Sequence, residues 1–162
     1  MSVFLKPLSL IMWKKNKKKQ SVILPKKTRF KKLQKGSLKH VERKPTTTHV
    51  YYGLYGLKIL KASRLDSRQL EAARRQISRQ LKKYEFLWIR VIPDIPVTKK
   101  PSEIRMGKGK GAINHWVGRV KAGQTIFELT CMLPQKAQTL LLSAAKKLSI
   151  PCALTKHIKK LT

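Results

Sequence analysis

The chain has 162 residues, with 38 Lys or Arg against 7 Asp or Glu, a formal net charge of +31 at pH 7. At 41% hydrophobic it can bury the core of one compact domain, which excludes a wholly disordered basic peptide. The excess of cations runs from Lys6 to Lys160 and opposes compaction unless a polyanion neutralises it; nucleic acid is the first candidate and an anionic membrane surface the second.

Residues 1–22 read as an N-terminal extension. Their apolar-leaning start is broken by Lys6 and Pro7 and is too short to span a bilayer. Its positive cluster follows the apolar stretch instead of preceding it, so it is not ordered as a secretory signal, and an organelle-targeting segment stays open. Residues 23–47 form a basic arm, "LPKKTRFKKLQKG" and onward, carrying Lys26, Lys27, Arg29, Lys31, Lys32 and Lys35. With so few apolar anchors it is expected to order on a partner. Residues 48–162 form an α+β domain.

Within that domain "THVYYGLYGLKILKA" (48–62) reads as a strand or strand pair bent at Gly53 and Gly56. A helix is predicted over 67–84. Asp66 is its N-cap, Gln69 completes a capping box, and Leu65 and Leu70 occupy the positions of a hydrophobic staple. Leu70, Ala73, Ile77, Leu81 and Tyr84 make its apolar stripe. Arg68, Arg75, Arg79 and Lys82 share another face, with Glu71 as the helix's one acid, and that face is a candidate for RNA contact.

"FLWIRVI" (86–92) reads as a buried strand in which Arg90 needs a partner or an exposed strand end. Pro93, Pro96 and Pro101 then punctuate an irregular stretch. "HWVGRVKAGQTIFEL" reads as a hairpin turning at "KAGQ". A second helix begins near Pro134 with a stripe of Ala137, Leu140 or Leu141, Ala144 and Leu148, and "IPCALTKHI" is a closing strand. The resulting fold class is α+β, two amphipathic helices packed on a mostly antiparallel sheet.

Between the prolines and the hairpin lies "EIRMGKGKGAINHW" (103–116), with glycines at 107, 109 and 111. A P-loop needs four residues between its first glycine and the Gly-Lys pair, then Ser or Thr; here the glycines alternate and Ala112 stands where the hydroxyl belongs. The dinucleotide pattern fails because its third glycine comes one residue early. No paired carboxylates or nucleophile–base set is present, and His115 reads as a structural or RNA-stacking residue, not a catalytic base. The histidines (His40, His49, His115, His157) and cysteines (Cys131, Cys152) lack metal-ligand spacing. The two cysteines read as small core residues of a reducing compartment. No enzymatic activity, metal or cofactor is therefore expected. The alternative is a basic finger for nucleic acid. Glycines permit close approach and unusual backbone geometry, Lys108 and Lys110 supply point charges, and Arg105 can grip a phosphate through two parallel bonds or stack on a base.

These segments, in this order, resemble large-subunit ribosomal protein sixteen of bacteria and organelles. The motifs that carry the resemblance are "LPKKTRFKKLQKG", "RLDSRQLEAARRQISR", "WIRVIPDIPVTKKP", "EIRMGKGKGAINHW" and "GQTIFEL", from about Leu24 to His157. The resemblance implies a hammerhead-like α+β sandwich seated in large-subunit rRNA beside the peptidyl-transferase centre. It also implies a finger, Arg105, Met106, Gly107, Lys108, Gly109, Lys110 and Gly111, that points towards tRNA acceptor ends, and roles in positioning tRNA and in late subunit assembly. Its partners would be rRNA, tRNA and neighbouring ribosomal proteins, with no membrane and no homo-oligomer. The segment "SLKHVERKPTTTHV" departs from the family's arginine- and glycine-rich loop, and "KKYEFLW" lacks its usual glycine. The extension and the preference for lysine point to the mitochondrial form ahead of a plastid or bacterial one. The competing reading is a non-ribosomal nucleic-acid-binding or anionic-membrane-surface module using the N-terminal basic cluster.

Overall fold

Two helices, each following a run of strands, pack in a chain whose strands divide between two sheets. A computed structural model describes residues 11–12, 23–25, 28–38 and 47–157. Its elements are β1 (Ile11–Met12), β2 (Tyr55–Ile59), β3 (Ser63–Asp66), α1 (Ser67–Gln80), β4 (Phe86–Ile89), β5 (Ile95–Lys99), β6 (Ala112–Val120), β7 (Thr125–Thr130), α2 (Pro134–Ala145) and β8 (Cys152–Lys156). One sheet has the order β1-β4-β7-β2-β8 and the other β3-β6-β5, and every pairing is antiparallel. This is the expected α+β class, divided over two sheets.

Helix α1 starts where expected. The Asp66 carboxylate accepts the Arg68 N–H at 3.1 Å, satisfying one of the helix's orphan donors. The reciprocal half of the capping box is not made, because the Gln69 side chain bonds Ser149 instead, at 3.2 Å. The helix also ends earlier than its periodicity suggested. Leu81 is extended, and the Glu85 side chain accepts the Lys82 N–H at 2.7 Å while the Glu85 N–H returns to the Lys82 carbonyl. That small closed turn takes up backbone groups the helix would need to continue. Tyr84, expected on the apolar stripe, is 80% exposed, and Lys82 lies beyond the helical face.

Leu70, Ala73 and Ile77 of α1 join Ala137, Leu140, Leu141 and Ala144 of α2 in one core. That core also holds Leu57, Ile59, Leu87, Ile89, Phe127 and Leu129 of the five-stranded sheet. Each such Leu, Ile or Phe contributes roughly 1.5–3 kcal/mol by leaving water. Both Leu140 and Leu141 are buried, so the register of α2 admits the two together. Ile23, at the start of the arm, is also part of this core.

Strands β6 and β7 do not form a hairpin with each other. The turn between them is present, with the Gln124 N–H on the Lys121 carbonyl, but it carries the chain from one sheet to the other. The reason is that Thr125 to Leu129 are all buried. A strand covered on both faces is stable in a sheet interior, and β7 lies between β4 and β2. The proline-punctuated stretch is likewise not irregular throughout: β5 pairs with β6, placing Pro96 opposite Trp116. Proline is tolerated there because β5 is an edge strand, where a missing N–H breaks no central ladder.

The charge inside "FLWIRVI" finds a partner. Arg90 donates to the Glu128 carboxylate and, at 2.8 Å, to the His49 carbonyl. The other Glu128 oxygen accepts the backbone N–H groups of Tyr51, Tyr52 and Gly53 at 3.0, 2.7 and 3.2 Å. Glu128 thus clamps the 51–53 segment onto the outer face of the sheet.

A second carboxylate, Glu85, bonds Lys136 Nζ at 2.6 Å and Cys131 Sγ at 3.0 Å. Burial pushes its pKa up, but the bonds from Cys131, Lys136 and the Lys82 backbone outweigh that and hold it at about 2. A depressed acid stabilises the fold fully above its unfolded value and loses that contribution as pH falls through the folded one. Lys136→Met is therefore expected to cost about 1 kcal/mol at neutral pH, because Cys131 and the Lys82 backbone still hold the carboxylate and Lys136 is partly exposed to screening solvent. The difference should disappear as pH falls from about 4.5 to about 2. Urea midpoints of both proteins across that range measure it.

Candidate nucleic-acid interface

The ribbon β5–β6 projects the finger, residues 100–111, from the three-stranded sheet. Residues 101–110 are exposed throughout, and Met106 is fully so. The alternating glycines have two different reasons. Gly107, Lys108 and Gly109 take φ of +104°, +53° and +76°, a left-handed run that glycine adopts without strain. A Cβ at 107 or 109 would meet nothing within 4 Å, so conformation and not space demands glycine there. At Gly111 a Cβ would lie 2.7 Å from the Lys99 carbonyl oxygen. That glycine lets the two strands close at the finger's base.

The finger and the arm are laced to each other. Lys32 Nζ donates to the Lys110 carbonyl at 2.6 Å, and Lys110 Nζ donates to the Leu33 carbonyl at 2.7 Å. Within the finger, Lys100 Nζ donates to the Gly107 carbonyl. Arg64 Nη2 holds the far end of the arm through the Gly36 and Lys35 carbonyls. Neutral carbonyls position these cations without cancelling their charge, so segments 77 residues apart present one cationic surface. Glu103 is its one acid among residues 28–38 and 100–111. Arg29 lies over the exposed Phe30 ring at 5.3 Å, a flat cation–aromatic pair beside this surface.

The sequence-predicted residues are therefore distributed unevenly. Lys32 and Lys110 touch each other's segments, Arg29, Lys31 and Lys35 stand exposed along the arm, and Arg105 and Lys108 stand exposed on the finger. Lys26 and Lys27 lie outside the described residues. On α1, Arg68 and Arg79 are exposed, and no hydrogen bond or ion pair among the described residues joins their side chains to the arm or finger. Arg75 is bonded to Glu71 at 2.9 Å and shares it with the buried Arg74 at 2.7 Å. Burial raises the Glu71 pKa, but the two guanidinium groups outweigh it and hold the carboxylate below its usual range. One carboxylate thus offsets part of the charge of the α1 face.

Sequence reasoning missed two members. Lys100 opens the finger directly after β5, five residues before Arg105, and that position is the available signal. Arg64 has none, because its acceptors lie 28 and 29 residues away. His115 is half-buried in an open cleft of about 410 Å³ with Lys35, Arg64, Asp66 and Gln69, away from the finger's exposed tip. No group of His, Cys, Asp and Glu fit to hold a metal occurs among the described residues.

Cations on a glycine-bent ribbon can hold phosphates in place. The sequence model of ribosomal protein L16p/L10e matches residues 25–155. The chain belongs to this family. It is 48% identical over 126 residues to a large ribosomal subunit protein uL16 of Nitrobacter winogradskyi, covering 78% of this chain and 90% of that one. Its identity to the proteins of the same name from Erythrobacter litoralis and Bartonella quintana is 46% over 129 residues and 44% over 140. Those alignments cover 80% and 86% of this chain and 88% and 98% of the two relatives. The L16p/L10e match takes in nearly all of the arm, the finger, both helices and the strands from β2 onward, and begins after a lysine-rich segment of 24 residues.

Proposed function

We propose that the laced arm and finger are the surface by which this chain grips large-subunit rRNA near the peptidyl-transferase centre. Through it the chain helps to position A- and P-site tRNA and to complete subunit assembly. The chain is a structural constituent of the large ribosomal subunit and not an enzyme, as membership of the L16p/L10e family entails. The observation that supports the finer reading is the reciprocal bonding of Lys32 and Lys110, which aligns two cationic segments that would otherwise repel. The gripping groups are Arg29, Lys31, Lys32 and Lys35 of the arm and Arg105, Lys108 and Lys110 of the finger. Lys26 and Lys27 extend the arm's row of cations, and Arg68, Arg75 and Arg79 offer a second contact on α1. Gly107, Gly109 and Gly111 shape the finger, and Met106 caps its exposed tip. Neighbouring large-subunit proteins complete the surroundings, and no membrane is involved.

We assign the chain to the mitochondrial ribosome. The lysine-rich segment before residue 25 and the chain-wide preference for lysine support this reading, although the three relatives named above are bacterial. Sedimentation of fractionated mitochondria tests compartment and partner together. The chain should travel with large subunits, and its presence at the top of the gradient or in another fraction would count against the assignment. Arg105→Ala should leave the isolated fold intact, since the residue is exposed. It should lower the yield of mature subunits or the accuracy of tRNA placement; normal subunit profiles and normal translation would remove the finger from the mechanism.

A further inference from the structure

The outer face of the five-stranded sheet, opposite the helices, carries an aromatic cluster used by neither the arm nor the finger. Phe86 and Trp88 of β4 alternate with the buried Leu87 and Ile89, and Arg90 continues the outward row. Across that face runs the segment clamped by Glu128, which brings Tyr51 and Tyr52 to the same place. Tyr52 stacks on Trp88 at 6.3 Å and 27°, and Phe86 lies against Trp88 at 6.0 Å. The Arg90 guanidinium lies over both tyrosine rings, 5.1 Å from Tyr51 and 5.6 Å from Tyr52. The order is Tyr51, Arg90, Tyr52, Trp88, Phe86, a continuous ladder of flat groups held in place by the Glu128 clamp.

Rings assembled only to fill a core would be buried. Here Tyr51 is 60% exposed, Phe86 39% and Tyr52 37%. The rim is positive: Lys82 and Lys83 are exposed just before β4. The acids at this edge, Glu85 and Glu128, are engaged by Lys136 and Arg90. A preorganised π surface with a cationic rim fits a polyanion whose units carry flat faces.

We infer that this face is a stacking platform for unpaired nucleobases of RNA, separate from the finger. Tyr51 offers its exposed ring to the first base and Phe86 the far end of the ladder, while Lys82 and Lys83 meet the backbone. Stacking of this kind is tolerant of sequence because every base has a π face. The inference rests on the proposed RNA-binding role only in taking RNA as the ligand.

The test uses the full chain and two oligomers of about 12 nucleotides, oligoadenylate and an abasic ribose-phosphate oligomer of equal length and charge. The wild-type protein should prefer oligoadenylate by about tenfold or more. The double variant Tyr51→Leu/Phe86→Leu should lose that preference while keeping its affinity for the abasic oligomer, and Tyr51→Phe, which retains the ring, should keep it. Oligoadenylate should also quench Trp88 in a Trp13→Phe/Trp116→Phe background, a readout that does not depend on the leucine variants folding. Absence of quenching, a preference that survives the double variant, or equal loss for both oligomers would overturn the platform. A steep salt dependence without any base preference would overturn it too, yet leave the proposed function standing.

Discussion

Replacing Arg90 by methionine should destabilise the fold by about 3–5 kcal/mol, the range for breaking a buried ion pair by removing one partner. The Glu128 side chain is completely buried and that of Arg90 only 10% exposed, so solvent cannot take the place of the lost guanidinium. Three backbone N–H donors would remain on Glu128, but they carry only partial charges. The His49 carbonyl would lose its donor as well, and the tyrosine rings would lose the cation between them. Adding Glu128→Gln to Arg90→Met should recover half or more of the loss. The amide oxygen still accepts the 51–53 N–H groups, while the unpaired charge is gone. Urea denaturation at neutral pH measures all three proteins. A loss below about 1 kcal/mol for Arg90→Met would mean that the clamp matters little to stability.

RNA affinity should fall by about a thousandfold between 50 and 200 mM salt if about six phosphates are neutralised. The number follows from the laced surface, where Arg29, Lys31, Lys32, Lys35, Arg105 and Lys108 are all exposed. Each phosphate contact releases condensed counterions, and the logarithm of the affinity declines in proportion to their number. Lys108→Gln, exposed on the finger, should lower the salt slope by about 1 without selecting among sequences. Lys32→Gln should do more, because it also removes the bond to the Lys110 carbonyl that aligns the arm with the finger. Filter binding over a salt series reads both, and a flat dependence would sink the phosphate-gripping mechanism.

Much of this was legible in the chain because it depends on neighbours in sequence. Asp66 caps α1 through a donor two residues away, and the apolar periodicity of both helices marks their buried faces. The alternating glycines excluded nucleotide loops by spacing alone, and the sequence placed the finger before a strand. Errors arose where the deciding partner was distant. The end of α1 is set by Glu85, whose side chain turns back to Lys82 and is held by Lys136, 51 residues on. Pro96 looked like a breaker because nothing local reveals that β5 lies at a sheet edge. That Arg90 needs a partner or an exposed strand end is legible, but which of the two is not, because its acid stands 38 residues away.

By itself the sequence determined the net charge, the class of partner, the two helices and the chemistry that the glycine finger cannot perform. All of these follow from composition or from spacings of a few residues. Tertiary structure alone decided that β6 and β7 part into different sheets, because burial on both faces places β7 in a sheet interior. It also decided that Lys110 and Lys32 grip backbone carbonyls across 77 and 78 residues. A carbonyl acceptor is present at every residue and leaves no mark in the sequence, so only the folded geometry selects which one a lysine reaches.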